Sequence, residues 1–177
     1  MESWDVVIVG AGSAGLAAGI YAIRSGLKTL ILEEKMAGGT ITDAPMVVNY
    51  PGFAEISGGE LAEKMTTHTR KLGATIHDIE AVTDMNLKGD KKTVTTTKTT
   101  YEAGAVILAM GSHYKEIGVK GEKEFRGRGV SYCGVCDGPF FKGKKVLVVG
   151  GGTSACITTL YLSGLAAQVT VTHRRET

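Results

Sequence analysis

The sequence predicts an α/β protein made of two domains of one type, the second truncated, and three observations carry that prediction. The first is a β-branched run, Val6-Val7-Ile8-Val9, that meets a glycine-spaced turn, Gly10-Ala11-Gly12-Ser13-Ala14-Gly15, and then the small-residue helical pattern Leu16 to Ala22. The second is the return of that unit 140 positions later, where Val146-Leu147-Val148-Val149 runs into Gly150-Gly151-Gly152-Thr153-Ser154-Ala155. The third is length. From near residue 119 to Thr177 the second unit has about 60 residues, where a Rossmann-type domain has about 100 or more. The expected fold is therefore two Rossmann-like (three-layer ββα) dinucleotide-binding domains, with the chain forming the N-terminal portion of a longer protein.

The turns carry the binding expectation. Glycines at the first and third places let the backbone turn sharply and approach a pyrophosphate, whose charge sits on helix N-terminal amides. One such pattern is weak evidence, since any strand-to-helix turn favours glycine; two copies, each after an apolar run, are much stronger. The residue that ends the next strand distinguishes the two copies. The run Leu30-Ile31-Leu32 ends at Glu33, 23 positions beyond Gly10, where an acid can bond the two hydroxyls of an unphosphorylated ribose. At the same offset from Gly150 stands His173-Arg174-Arg175, and two fixed cations there suit a ribose 2′-phosphate. An arginine pair at a strand end is often only a solvated charge cluster; the matched offset favours the phosphate.

Between the turns the elements run in order. Trp4 to about Lys35 reads as a βαβ unit, and Ala37 to Phe53 as a glycine-bearing loop too irregular for a regular element. Ser57-Gly58-Gly59-Glu60 is a capping box that opens an amphipathic helix through Leu61, Met65 and Leu72 to a stop at Gly73. Thr75 to Met85 and Thr93 to Thr100, joined at Lys88-Gly89-Asp90-Lys91, alternate as a small antiparallel meander, its threonine-rich strand facing solvent. Ala105 to Ala109 reads as a buried strand, and Ser112 to about Glu122 as the link to the second unit.

Composition bounds the rest. A net charge of +2 over 177 residues gives no reason to expect nucleic acid or an anionic surface. No apolar run approaches a membrane span, and the N-terminus enters a strand directly, so a cytoplasmic location is expected. In a reducing compartment Cys133-Gly134-Val135-Cys136 reads as redox or metal-binding. Metal would need two more ligands, and Cys156, His68, His77, His113 and His173 offer no second pair at ligand spacing, so no metal is expected. Cys156, at an apolar helix position, is expected to be a buried small hydrophobe. A pair separated by two residues can close a small, readily reduced disulfide, and the adjacent Asp137 can carry the proton or serve only as a turn residue before Gly138-Pro139.

The succession of the first turn, Glu33, Gly38-Gly39-Thr40, Asn49-Tyr50-Pro51-Gly52-Phe53, Ala109-Met110-Gly111, Cys133 to Gly138, the second turn and His173-Arg174-Arg175 resembles the low-molecular-weight thioredoxin reductases of bacteria and archaea, over essentially the whole chain. The resemblance implies an FAD-dependent thioredoxin-disulfide reductase, with residues 1–116 in the FAD-binding domain and 117–177 in an incomplete NADPH-binding domain that carries the redox pair. It implies FAD contacts at Gly10, Gly12, Ser13, Ala14, Gly15, Glu33, Gly39, Thr40, Asn49, Val82, Ala109 and Gly111, and NADPH contacts at Gly150, Gly152, Thr153, Ser154, His173, Arg174 and Arg175. By the same resemblance Cys136 faces the flavin, Cys133 attacks a thioredoxin-like protein disulfide, Asp137 shuttles the proton, and the full-length protein is a homodimer whose domains rotate about 112–122. The chain departs from the family's pattern at Met110, Thr153, Thr158 and Thr159. A peroxidase-system flavoprotein reductase, a deazaflavin-dependent reductase and a non-catalytic nucleotide-binding module are the alternatives.

Overall fold

The computed structural model describes residues 2–174, which separate into two compact units divided between His113 and Tyr114. In the first, the predicted βαβ unit forms as β1 (Glu2–Val9), α1 (Ser13–Arg24) and β2 (Thr29–Leu32), with β1 and β2 parallel and Val9 opposite Leu32. Next come α2 (Gly58–Lys71), β3 (Thr75–His77), β4 (Val82–Asn86), β5 (Lys92–Thr96) and β6 (Thr100–Leu108), and the sheet order is β3-β2-β1-β6-β5-β4. The Ser57 hydroxyl caps α2 by accepting from the Glu60 amide at 3.2 Å, and the chain leaves the helix at Gly73 with φ +105°, as the capping box and glycine stop predict.

The apolar runs make strands because both of their faces are covered. Leu16 of α1 packs with Val6, Ile8 and Ile31 on one face, while Val94 of β5 and Tyr101 of β6 pack with Val7, Leu30 and Leu32 on the other. Helices, parallel sheet and meander thus form three layers, the α/β fold predicted. Ile8, Leu16, Leu30, Ile31 and Leu32 are fully buried, each contributing about 1.5–3 kcal/mol. The Asp5 and Val6 amides both donate to the Lys28 carbonyl, at 3.0 and 3.2 Å, so β1 gains a residue and Trp4 joins Val7 on the meander side.

Several expectations are corrected. Thr75 to Met85 is not one meander strand: β3 extends the parallel sheet beside β2, and only β4, β5 and β6 run antiparallel. The threonine-rich strand does not face solvent, since Val94 and Thr96 are buried beneath the sheet face they cover. Ala105 to Ala109 is not a separate buried strand but the end of β6, where Ile107 and Leu108 are exposed because pairing with β5 stops at Ala103. The loop after Ala37 contains one regular turn, a 3-10 helix at Gly39–Asp43.

Glu80 is buried between β3 and the meander. Its carboxylate accepts from the Tyr101 and Thr96 hydroxyls, both at 2.8 Å, and lies 3.2 Å from His77 Nδ1 and 3.5 Å from Lys98 Nζ. Burial pushes its pKa up, but these partners outweigh burial and hold it below the ordinary value; Tyr101, buried and bonded to that carboxylate, is pushed up to about 12.

The second unit holds α3 (Gly134–Asp137), a 3-10 turn at Gly138–Phe141, β7 (Lys145–Val149), α4 (Thr153–Ser163) and β8 (Gln168–Thr172), with β7 and β8 parallel. Cys156 is exposed, contrary to expectation; Leu162 is the buried residue of α4, so a position that a helix covered on two sides would hide stays open. Among the described residues no helix is long and apolar enough to cross a membrane.

Candidate functional site

At the first turn, Gly10 takes φ +102°, and its amide donates to the Leu32 carbonyl at 2.8 Å. A Cβ on Gly10 would strike the backbone of Ala109 and Met110, and one on Gly15 would strike the Gly10 carbonyl oxygen. Glycine is therefore required on two counts, for conformation and for close approach. The N-terminus of α1, capped at Gly12, has no side-chain cap and no acid in its first turn, so the first-turn amides of Ser13, Ala14 and Gly15 suit an anion from outside the helix.

Other predicted positions gather around this turn. Gly38 donates to the Ala11 carbonyl at 2.8 Å and bridges Gly12, which brings Gly39 against Gly12, and Thr40 follows, exposed in the 3-10 helix. The Glu33 carboxylate, half-buried, accepts from the Ala11 amide at 2.8 Å and the Lys35 amide at 3.0 Å, which fixes it at the edge of the turn. Ala109 donates to the Val9 carbonyl at 2.8 Å, and Gly111 comes two residues on with φ +69°. Val82 begins β4, two residues past Glu80, whose amide donates to the Glu33 carbonyl at 2.8 Å. Asn49 lies on the exposed excursion between the paired residues Val47 and Ile56.

The second turn repeats these features. Gly150 takes φ +140° and donates to the Thr172 carbonyl at 2.9 Å, and α4 starts at Gly152 without a side-chain cap or a first-turn acid, leaving Thr153 and Ser154 exposed. The His173 ring lies where a Cβ on Gly151 would be, so it closes the turn, and Arg174 is exposed beyond it. Arg175 lies outside the described residues.

Within the same unit Cys133 and Cys136 close a disulfide, with Cα atoms 5.3 Å apart. Cys133 caps α3, its sulfur accepting from the Cys136 amide at 3.2 Å; Cys133 is half-buried and Cys136 exposed. A Cβ on Gly134 would strike Thr158, and one on Gly138 would strike Tyr161, so the short helix packs directly on α4, the helix that follows the second turn. Asp137 is half-buried, and its Oδ2 accepts from the Ser131 hydroxyl at 2.5 Å.

Two neighbours of the disulfide escape the sequence. Ser131 accepts from the Cys133 amide at 3.1 Å, and the turn a serine favours by bonding the amide two residues on is a local signal that could have flagged it. Glu122, expected to end a link, is buried; it accepts from the Tyr132 hydroxyl at 2.6 Å, the Gly118 amide at 2.7 Å and the Ile117 amide at 3.0 Å. The Tyr132 hydrogen bond, then that amide pair, holds Glu122 below its ordinary pKa, and the Glu122 bond pushes Tyr132 up to about 12. Tyr132 also stacks on Tyr114, with ring centroids 5.1 Å apart. No local pattern announces Glu122. Among the described residues no group of three metal-ligating side chains gathers.

Two glycine turns of one design, the second in the same unit as a CxxC disulfide, are the architecture of a nucleotide-linked disulfide oxidoreductase. The chain belongs to the pyridine nucleotide-disulphide oxidoreductase family, whose model matches residues 4–177. Within it, the chain is 49% identical over 175 residues to a thioredoxin reductase of Bacillus subtilis (strain 168) and 48% identical to one of Treponema pallidum (strain Nichols). Each match covers 98% of this chain and 54% and 57% of those proteins, so the chain spans about half their length. The crystal structure of thioredoxin reductase from Streptococcus pyogenes MGAS5005 is similar with a TM-score of 0.92 at 44% identity, covering 98% of this chain and 56% of that one.

Proposed function

We propose that this chain supplies the N-terminal part of an FAD-dependent thioredoxin-disulfide reductase, residues 1–116 belonging to the flavin domain and 117–177 to an NADPH domain bearing the redox pair. The observation that carries the proposal is the Cys133–Cys136 disulfide, flanked by Asp137 and packed on the helix that opens the second glycine turn. The residues present fit both nucleotides. Gly10 and Gly15 leave the backbone room for the tight turn, Gly12 starts α1 with no side chain over its amides, α1 and α4 both begin without side-chain caps, and Glu33 stands at the rim of the first turn. When bound, FAD supplies hydride acceptance from NADPH and a two-electron source for the disulfide.

The chain's own residues do the rest. Gly150, Gly152, Thr153 and Ser154 hold the NADPH pyrophosphate, while Arg174 and Arg175 pair with the 2′-phosphate. The reduced Cys133 thiolate attacks one sulfur of a thioredoxin-like protein disulfide, forming a mixed disulfide and releasing the other sulfur as a thiolate. The Cys136 thiolate then displaces the partner from Cys133 and restores the Cys133–Cys136 bond. Asp137 moves the protons that thiolate formation and release require. A cytoplasmic homodimer is expected of the full-length protein.

The test is Cys133→Ser in a flavin-loaded protein carrying this chain. Flavin bleaching by NADPH should persist while turnover with a thioredoxin falls to background. Normal disulfide reduction by that variant would show that the pair is not the exchange centre.

A further inference from the structure

We propose that Ser131 is a positioning residue for the proton carrier, its hydroxyl tying the Asp137 carboxylate to the Cys133 end of the redox turn. This rests on the role given to Asp137 above. A serine hydroxyl has one proton and can accept two bonds. At 2.5 Å from Asp137 Oδ2, the Ser131 oxygen is at a charge-assisted O–H···O⁻ distance, whereas the competing Cys133 carbonyl is 3.3 Å away. The proton therefore goes to Asp137, and the lone pairs remain for the Cys133 amide at 3.1 Å. The Asp137 amide donates in turn to the Cys133 carbonyl at 3.0 Å, which closes a ring of three hydrogen bonds around Cys133. Without Ser131, the main chain of Asp137 stays in place but its carboxylate loses the one side-chain bond that orients it among the described residues, and a short aspartate side chain has free rotamers to occupy.

The consequence falls on disulfide opening. A dithiothreitol thiol loses its proton to the Asp137 carboxylate and its sulfur attacks Cys133 Sγ. The Cys133–Cys136 bond breaks, and the electron pair leaves on Cys136 Sγ, which takes the proton back from Asp137. The second dithiothreitol thiolate then displaces Cys133, so dithiothreitol is oxidised to its cyclic disulfide and both cysteines are reduced.

The rate of this reduction in the chain itself, followed by thiol labelling at fixed pH, tests the proposal without flavin or NADPH. Asp137→Ala should slow it by about 100-fold and Ser131→Ala by about 10-fold, while Ser131→Thr, which keeps the hydroxyl, should stay within about twofold. Ser131→Ala placed on Asp137→Ala should add less than about twofold, because a residue acting through another has nothing left to position. Ser131 is exposed, so its replacement opens no cavity. A full 10-fold further loss in the double variant, no loss in Ser131→Ala, or no rescue by threonine would overturn the positioning role alone. An unchanged rate in Asp137→Ala would overturn the proton role of Asp137 and the present proposal with it.

Discussion

Glu33 shows how far a single residue can be read. Its offset from Gly10 marks it as a strand-end acid near a ribose, and the structure sets its carboxylate on the Ala11 amide, inside the glycine turn it is expected to serve. That bond fixes the side chain before any ligand arrives, which lowers the ordering cost of binding. Glu33→Arg should therefore release the Ala11 amide and lose the ribose acceptor. We expect at least a roughly 10-fold weaker hold on FAD, read as flavin retained per chain after gel filtration, since hydrogen bonds to charged groups are worth about 1.5–3 kcal/mol. Retention equal to the parent protein would remove Glu33 from the site. Glu122 could not be read in this way: the Ile117 and Gly118 amides and the Tyr132 hydroxyl that it accepts from follow no capping or strand pattern that a sequence displays.

At the scale of elements, close approach and buried charge decide what holds. The strand-to-helix angle at the first turn depends on Gly15 lying against the Gly10 carbonyl. Gly15→Val should cost stability at or above the top of the about 1–3 kcal/mol range for overpacking, measured as a lower urea midpoint, and should abolish flavin retention with it. The meander is joined to the parallel sheet through Glu80. Its folded-state pKa is depressed, so the stability it contributes is present above the unfolded value of 4.5 and is lost as pH falls through the folded value. Tyr101 has the opposite sign: raised from 10.0 to about 12, it contributes fully below 10 and loses that contribution as pH climbs towards 12. Tyr101→Phe leaves the buried carboxylate short of a donor and should destabilise by about 1–3 kcal/mol at pH 7. The penalty should shrink as pH falls through the depressed Glu80 value; a pH-independent loss would mean that packing, not the hydrogen bond, accounts for it.

For the whole molecule, the informative comparison is between the two turns. They share a positive-φ first glycine and an uncapped helix start, and they differ in what ends the next strand, an acid in one and cations in the other. In a flavin-loaded protein carrying this chain, NADPH should be preferred over NADH by roughly 10- to 100-fold in kcat/KM, and Arg174→Ala with Arg175→Ala should erase the preference. Equal use of both nucleotides by the parent would contradict that assignment. His173, grouped with the arginines on sequence, packs over Gly151, so its replacement should also disturb the turn. The sequence alone determined the two strand–turn–helix units, the capped α2 and the close-spaced cysteine pair, because glycine conformation, helix capping and a three-residue cysteine spacing are local properties that survive in any fold. Only the tertiary structure decided that Val94 and Thr96 are covered, that Cys156 is open, that β3 joins the parallel sheet, and that Glu80 finds its partners. Those outcomes depend on which surfaces are brought together across long stretches of chain, as with Tyr101 and Glu80, 21 residues apart, and no periodicity in a single segment encodes them.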